Sequence, residues 1–265
     1  MNKQNDPIRE FEEEKIKRIG QYAADKNWSA QTNTWVRRSF EQKYMYNFNW
    51  MGRPIIQFPQ DILAMQEIIF SVQPDLIIET GIAHGGSLIF SASMLELNSA
   101  CGGPANAEVL GVDIDIRQHN RDAIEAHPMY KRISMIQGSS ISDETIAKVR
   151  EKAAGKNKIL VCLDSNHTHE HVMAELRAYA DLTSLGSYCV VFDTIVEDMP
   201  EDMFPDRPWE PGNNPKTAIR QYLAELEASG WKGLDGRAIK FERDRQCEDK
   251  LLITVAPEGY LKRVQ

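Results

Sequence analysis

The stretch LIIETGIAHGGS, residues 76–87, decides how this chain is read. It opens as a short apolar β-rich run, places the carboxylate of Glu79 near the end of that run, and continues into a turn containing Gly81, Gly85 and Gly86. An apolar-periodic segment, 87–97, follows and predicts a helix. Glycines between a strand and a helix let backbone N–H groups approach a ligand closely. The pattern is neither G-x-G-x-x-G nor a P-loop, because no Gly-Lys-Ser/Thr follows. Read alone, it leaves open a tight strand-to-helix turn with no ligand.

Outward from this stretch the same alternation repeats. EVLGVDI (108–114), ISMIQG (133–138), KILVCLD (158–164) and YCVVFD (188–193) read as strands, and 117–126, 142–153 and 170–180 as helices. Ser142 followed by Asp143, Glu144 and Thr145 is a helix start signal. Five strands in series with crossovers predict an α/β fold, a doubly wound parallel sheet with ligands beyond its carboxyl ends. A Pro-rich stretch (199–215) and a helix over about 216–228 come next. The runs IKFER and LLITVAP are then expected to form an antiparallel hairpin closing the sheet's edge. Two helices and the aromatic-rich YMYNFNWMGRPIIQFPQD precede the alternation. They are expected as an N-terminal helical extension, 1–58, folded against a domain of 59–265, because the aromatics need burial.

The strand tips carry the chemistry. Asp113 ends the second run, where a carboxylate in such a sheet holds ribose hydroxyls, and Gln137 to Ser140 (QGSS) end the third, small and polar enough to meet a base. Each acidic tip taken singly is also a plausible cap; together they outline a nucleoside pocket. The fourth run delivers Asp164 followed by His167, His169 and His171, and the fifth delivers Asp193. Two carboxylates at adjacent tips suit a hard divalent cation such as Mg²⁺, and a histidine beside it can take a hydroxyl proton. The H-x-H-x-H spacing keeps a zinc hydrolase built on His167, His169 and His171 in view. Otherwise His169 and His171 are expected to be helix-cap and surface residues.

Composition narrows the classes. Of 265 residues 42% are hydrophobic and 26% charged, as in an ordinary folded protein. The 31 basic and 39 acidic residues give −8, which argues against nucleic acid or an anionic membrane as partner. Cys101, Cys162, Cys189 and Cys247 lack C-x-x-C spacing and read as buried thiols of a reducing compartment. The start, MNKQNDPIREFEEE, has no apolar core of a secretory leader, and no run of eighteen apolar residues occurs, so the cytoplasm is expected.

The segments NWMGRPIIQFPQD, ETGIAHGGS, GVDIDIRQHNR, LDSNHTHEHVMAELRAYA, GSYCVVFDT, NNPKTAI and LLITVAPEGYLKR occur in this order from about Asn49 onward. In these motifs the chain resembles the cephalosporin hydroxylase family. Its members resemble S-adenosylmethionine-dependent, Mg²⁺-assisted O-methyltransferases, including enzymes acting on rhamnosyl and other sugar hydroxyls. The resemblance implies a Rossmann-like class I methyltransferase sheet and a small-molecule hydroxyl acceptor. It further implies that Glu79, Gly81 and Gly85 line the methionine end of S-adenosylmethionine with Ser87 near its carboxylate. Asp113 would hold the ribose, with Gln137, Ser139 and Asp164 completing the cofactor site. Asp164 and Asp193 would bind Mg²⁺, and His167 would deprotonate the acceptor. One departure is Phe192, where the family often carries Glu; Thr194, Glu197, Asp198 or water would then complete the metal shell. That departure also keeps a noncatalytic nucleoside-binding module as an alternative. The 199–215 loop, with Trp209 and Asn213, and the aromatics around Trp50 are expected to roof the acceptor or to join copies of a homo-oligomer.

Overall fold

Leu76–Thr80 is the strand around which the computed structural model is built; the structure describes residues 6–265, and residues 1–5 of the expected extension lie outside it. In chain order the elements are α1 (Pro7–Ala24), α2 (Lys26–Glu41), β1 (Phe48–Trp50), β2 (Arg53–Ile55), α3 (Pro59–Val72), β3 (Leu76–Thr80) and α4 (Gly86–Ala100). There follow β4 (Glu108–Asp113), α5 (Gln118–Glu125), β5 (Ile133–Gln137), α6 (Asp143–Ala153), β6 (Ile159–Leu163) and α7 (His169–Tyr179). The chain ends with β7 (Tyr188–Val191), α8 (Pro215–Ser229), β8 (Phe241–Arg243), α9 (Arg245–Leu251) and β9 (Tyr260–Arg263).

Seven strands form one sheet in the order β5-β4-β3-β6-β7-β9-β8, parallel from β5 to β7 and antiparallel at β9 and β8. Strand order reverses between β3 and β6, so the crevice of this doubly wound sheet opens at their carboxyl ends. Every residue of β3 and β6 is buried, as a strand covered on both faces requires. Ile77 joins the core beneath α3 and α4, whereas Leu76 and Ile78 join the core that includes residues of α6, α7 and α8.

The N-terminal segment packs on the first of these cores. Val36, Met45, Ile55 and Phe58 are buried in it; Phe40 meets Phe58 edge-on, Tyr44 lies tilted against it, and Phe48 meets Tyr44 edge-on. Three elements lay outside the sequence reading: the β1–β2 hairpin, α3 and α9. One expectation is corrected. LLITVAP is not a strand; Leu251 ends α9, Leu252 takes a left-handed φ of 59°, and the segment turns to place Thr254 and Val255 on Asp61. The closing strand is β9, which pairs with both β7 and β8. Cys162, Cys189 and Cys247 are buried and unpaired as expected, but Cys101 is exposed, since it follows the last turn of α4.

Candidate functional site

At the tip of β3, Gly81 adopts φ +89° and donates its N–H to Val112 O at 2.8 Å. A Cβ there would sit 2.0 Å from the backbone oxygen of Asp164, so only glycine lets the tips of β3 and β6 touch. Gly85, at φ +82°, caps α4 with no side-chain hydrogen bond, leaving first-turn N–H groups for an anion. A Cβ on Gly86 would lie 2.1 Å from Pro54 O, so the β1–β2 hairpin rests directly on the start of α4.

Asp113 ends β4 and pins this turn. Its Oδ2 accepts from Ile82 N at 2.8 Å and Ala83 N at 3.4 Å, and its Oδ1 accepts from Asp115 N at 2.9 Å. A carboxylate has lone pairs beyond these three, so it can still accept from ligand hydroxyls. Glu79 is buried, with the Ser87 hydroxyl as its donor. Burial raises its pKa to about 7, against which the Ser87 bond pulls only in part.

Asp164, His167 and Asp193 each offer one ligand atom, and these atoms lie within 4.8 Å of one another. His167 Nε2 is 3.0 Å from Asp193 Oδ2. Burial pushes Asp164 well above the usual carboxylate range, and the charges of Asp193, Glu79, Glu175 and Asp61 push it further. Among the described residues Asp164 thus faces several acids and no lysine or arginine, and a positive charge there is what a bound cation would supply. The three residues expected to replace the carboxylate lost at Phe192 are engaged elsewhere. The Thr194 hydroxyl donates to Pro257 O, Glu197 accepts from Gly212 N and Asn214 Nδ2, and Asp198 pairs with Lys216. The third atom within reach of the two carboxylates is a ring nitrogen of His167.

His169 and His171 do not join that cluster, so the three-histidine zinc site is not formed. His169 is the first residue of α7 after the N-cap Thr168, and its ring meets Thr217 Oγ1 at 2.8 Å and Gln221 Oε1 at 2.9 Å on α8. His171 is not a surface residue either. It is half-buried, with Nε2 at 3.1 Å from both Ser140 Oγ and Ser165 Oγ, and Ser165 donates to the fully buried Glu175 at 2.7 Å. Ser165 and Glu175 were not singled out from sequence; the signal was the i, i+4 spacing of His171 and Glu175 on one helix. At the end of β5, Gln137 is exposed and accepts from Arg121 Nη2 at 3.2 Å, while the Ser139 carbonyl accepts from Ser142.

The loop before α8 reaches the site through Trp209, whose ring meets that of His167 edge-on, centroids 4.7 Å apart. Arg207 lies over the same indole at 5.2 Å. Asn213 is occupied in structure, accepting from His169 N at 3.0 Å and donating to Pro208 O at 2.9 Å. Trp50 packs edge-on against Phe90 and bonds Ser93, holding the hairpin to α4 rather than roofing the crevice.

The family described as Rhamnosyl O-methyltransferase/CmcI matches residues 42–264. A curated Rhamnosyl O-methyltransferase of Mycobacterium tuberculosis is 28% identical over 86% of this chain and 85% of its own length. One from Mycobacterium leprae is 27% identical over 86% and 90%. A solved cmcI structure titled with Mg-SAM superposes with a TM-score of 0.52 at 16% identity, covering 83% of this chain and 78% of that one, which establishes a shared fold.

Proposed function

The chain belongs to the Rhamnosyl O-methyltransferase/CmcI family, and from that membership and the geometry we propose that it moves a methyl group from S-adenosylmethionine to a sugar hydroxyl of a small molecule. The observation that carries the reading is the meeting of Asp164, His167 and Asp193 at the carboxyl edge, beside the glycine turn. The relatives' name supports a sugar acceptor, and the solved cmcI structure with Mg-SAM supports both cofactors.

The residues fit the two groups. In our reading Glu79, Gly81, Gly85 and Ser87 receive the amino-acid end of S-adenosylmethionine, Asp113 the ribose, and Gln137 and Ser139 the base, with Asp164 bordering both cofactors. Asp164 and Asp193 are hard oxygen ligands whose crowded charge favours a divalent cation. When bound, Mg²⁺ lowers the pKa of an acceptor hydroxyl. The Asp193 carboxylate, 3.0 Å from His167 Nε2, holds the imidazole at the crevice, where it can take the hydroxyl proton. Trp209 and Arg207 border the acceptor's approach, and the acceptor oxygen would attack the methyl carbon in line, the O–C bond forming as the S–C bond breaks and S-adenosylhomocysteine leaves, a step that depends chiefly on positioning.

A second role for His167 is favoured by the 4.8 Å cluster, in which it is the third metal ligand. His167→Ala separates the two. As a base it lowers turnover by about 10² to 10⁴ with Mg²⁺ affinity unchanged, and as a ligand it weakens Mg²⁺ binding itself. The function is tested by incubating the protein with S-adenosylmethionine, Mg²⁺ and a rhamnose-bearing acceptor. A methylated sugar in the mass spectrum is expected, and no transfer across a panel of sugar acceptors would refute it.

No described helix is long and apolar enough to cross a membrane. The buried unpaired thiols support a reducing cytoplasm, and exposed Phe11, Trp35, Leu63 and Phe70 support association of copies. We place the boundary between extension and catalytic domain just before Pro59, where α3 begins.

A further inference from the structure

Gln57 is the polar residue this site leaves unexplained. It lies between β2 and α3, at the end of the N-terminal extension, is only 7% exposed, and lines a cavity with Glu79, Ser87, Cys162, Asp164 and Phe192. Its Nε2 donates to Asp164 Oδ2 at 3.4 Å. Its Oε1 is buried without a partner. Because Asp164 only accepts in the ionised form that holds a cation, the amide nitrogen belongs on the Asp164 side and the oxygen is turned away from it.

A buried amide oxygen with no donor is costly unless something binds there. The neighbouring Glu79 also accepts, and the Ser87 hydroxyl is the one side-chain donor bonded to it. None of the residues lining the cavity is a lysine or arginine. Two acceptors on one largely apolar wall are complementary to a compact cation with several N–H donors, and not to an anion.

The geometry points to Gln57 as the residue by which the N-terminal extension receives the α-ammonium of the cofactor's amino-acid end, its oxygen accepting while its nitrogen holds Asp164. This assignment rests on the S-adenosylmethionine reading above. It makes the extension part of the cofactor site rather than a cover, and Gln57 a positioning residue that ties the bound cofactor to Asp164.

Calorimetry with two probes tests it. S-adenosylhomocysteine carries the amino-acid end; 5′-methylthioadenosine shares the nucleoside and lacks that end. Gln57→Met, matched in length and unbranched, should weaken S-adenosylhomocysteine about 10- to 100-fold and leave 5′-methylthioadenosine within about twofold. Gln57→Asn, whose amide falls short of the cavity, should show the same selective loss and serves if the methionine variant fails to fold. Equal losses for both probes, or no loss for either, would overturn the assignment of Gln57. Wild-type protein that binds neither probe would instead overturn the cofactor reading.

Discussion

The two ends of the parallel sheet treat charge in opposite ways. At the amino edge charges are matched: Asp75 accepts from the N–H groups of Asn157 and Lys158, Lys156 pairs with Glu108 at 2.7 Å, and buried Arg263 binds Asp235 and Thr183 O, each at 2.7 Å. At the carboxyl edge, Glu79, Asp164 and Asp193 gather, and among the described residues none of them forms an ion pair with a lysine or arginine. The first arrangement stabilises the fold without help. The second gathers acids whose repulsion a cationic ligand would relieve, so on the proposed function the difference separates the end that holds the sheet together from the end that acts.

The largest effect should come from removing the central acid. Asp164→Ala is expected to lower methyl transfer by about 10³-fold or more, the several kcal/mol that a lost cation contact represents. Asp164→Asn, measured without ligands at neutral pH, should melt higher than wild type by about 2–4 °C, because a buried acid whose ionisation its surroundings oppose is gone. Near-normal transfer, or a lower melting point for the asparagine variant, would break the contrast. Arg263→Met makes the reciprocal test at the amino edge. It leaves the buried Thr183 carbonyl without its donor and frees the exposed Asp235, and should destabilise the protein by up to about 3 kcal/mol in denaturant titrations while S-adenosylmethionine affinity holds. A loss of cofactor affinity without a loss of stability would contradict it.

The amino acid pattern showed the acting end better than the supporting end, for a physical reason. Glu79, Asp113, Asp164 and Asp193 sit at the tips of strands whose apolar runs are obvious, so topology alone carries them to one edge. Gln57 and Asp61 do not follow from any strand pattern. Asp61 is fully buried on α3 and accepts from Thr254, Val255 N and Tyr260, contacts that depend on a segment far along the chain. The same contacts explain LLITVAP: its apolar composition is that of a strand, but Pro257 has no N–H to give a ladder and Val255 N is bound to Asp61. His171 looked like surface because a helix start is normally exposed, whereas here Ser140 and Ser165 from two other tips enclose it.

Glu79 gives a pH signature intermediate in size. Its pKa is raised from 4.5 to about 7 by burial, so between these values the folded state binds the proton more tightly than the unfolded chain. Its contribution to stability is therefore full below about pH 4.5 and is lost as pH rises through about 7, an effect on the order of 3 kcal/mol. Glu79→Gln should flatten this segment of the stability-versus-pH curve in chemical denaturation. A saturating cationic cofactor, by favouring the ionised carboxylate, should flatten it in the wild type too. An unchanged slope in the variant would place the titrating group elsewhere.

The smallest effect belongs to a residue at the acting end that carries no charge. Ser142 caps α6, its Oγ accepting from Thr145 N at 3.4 Å and donating to the Ser139 carbonyl at 3.0 Å. Ser142→Ala removes a helix cap, for which about 1 kcal/mol is the usual loss, and the melting temperature should fall by roughly 2–4 °C. Ser139 keeps its backbone donor, since Ser142 N also bonds its carbonyl at 3.0 Å, so the turn that would meet the base stays in place. S-adenosylhomocysteine affinity should accordingly change by no more than about twofold, well under the tenfold that 1.4 kcal/mol represents. If the contrast between the two edges is one of charge, this neutral cap behaves like any other helix start. A tenfold loss of affinity in Ser142→Ala would instead show that the carboxyl edge is tuned through its turns as much as through its acids.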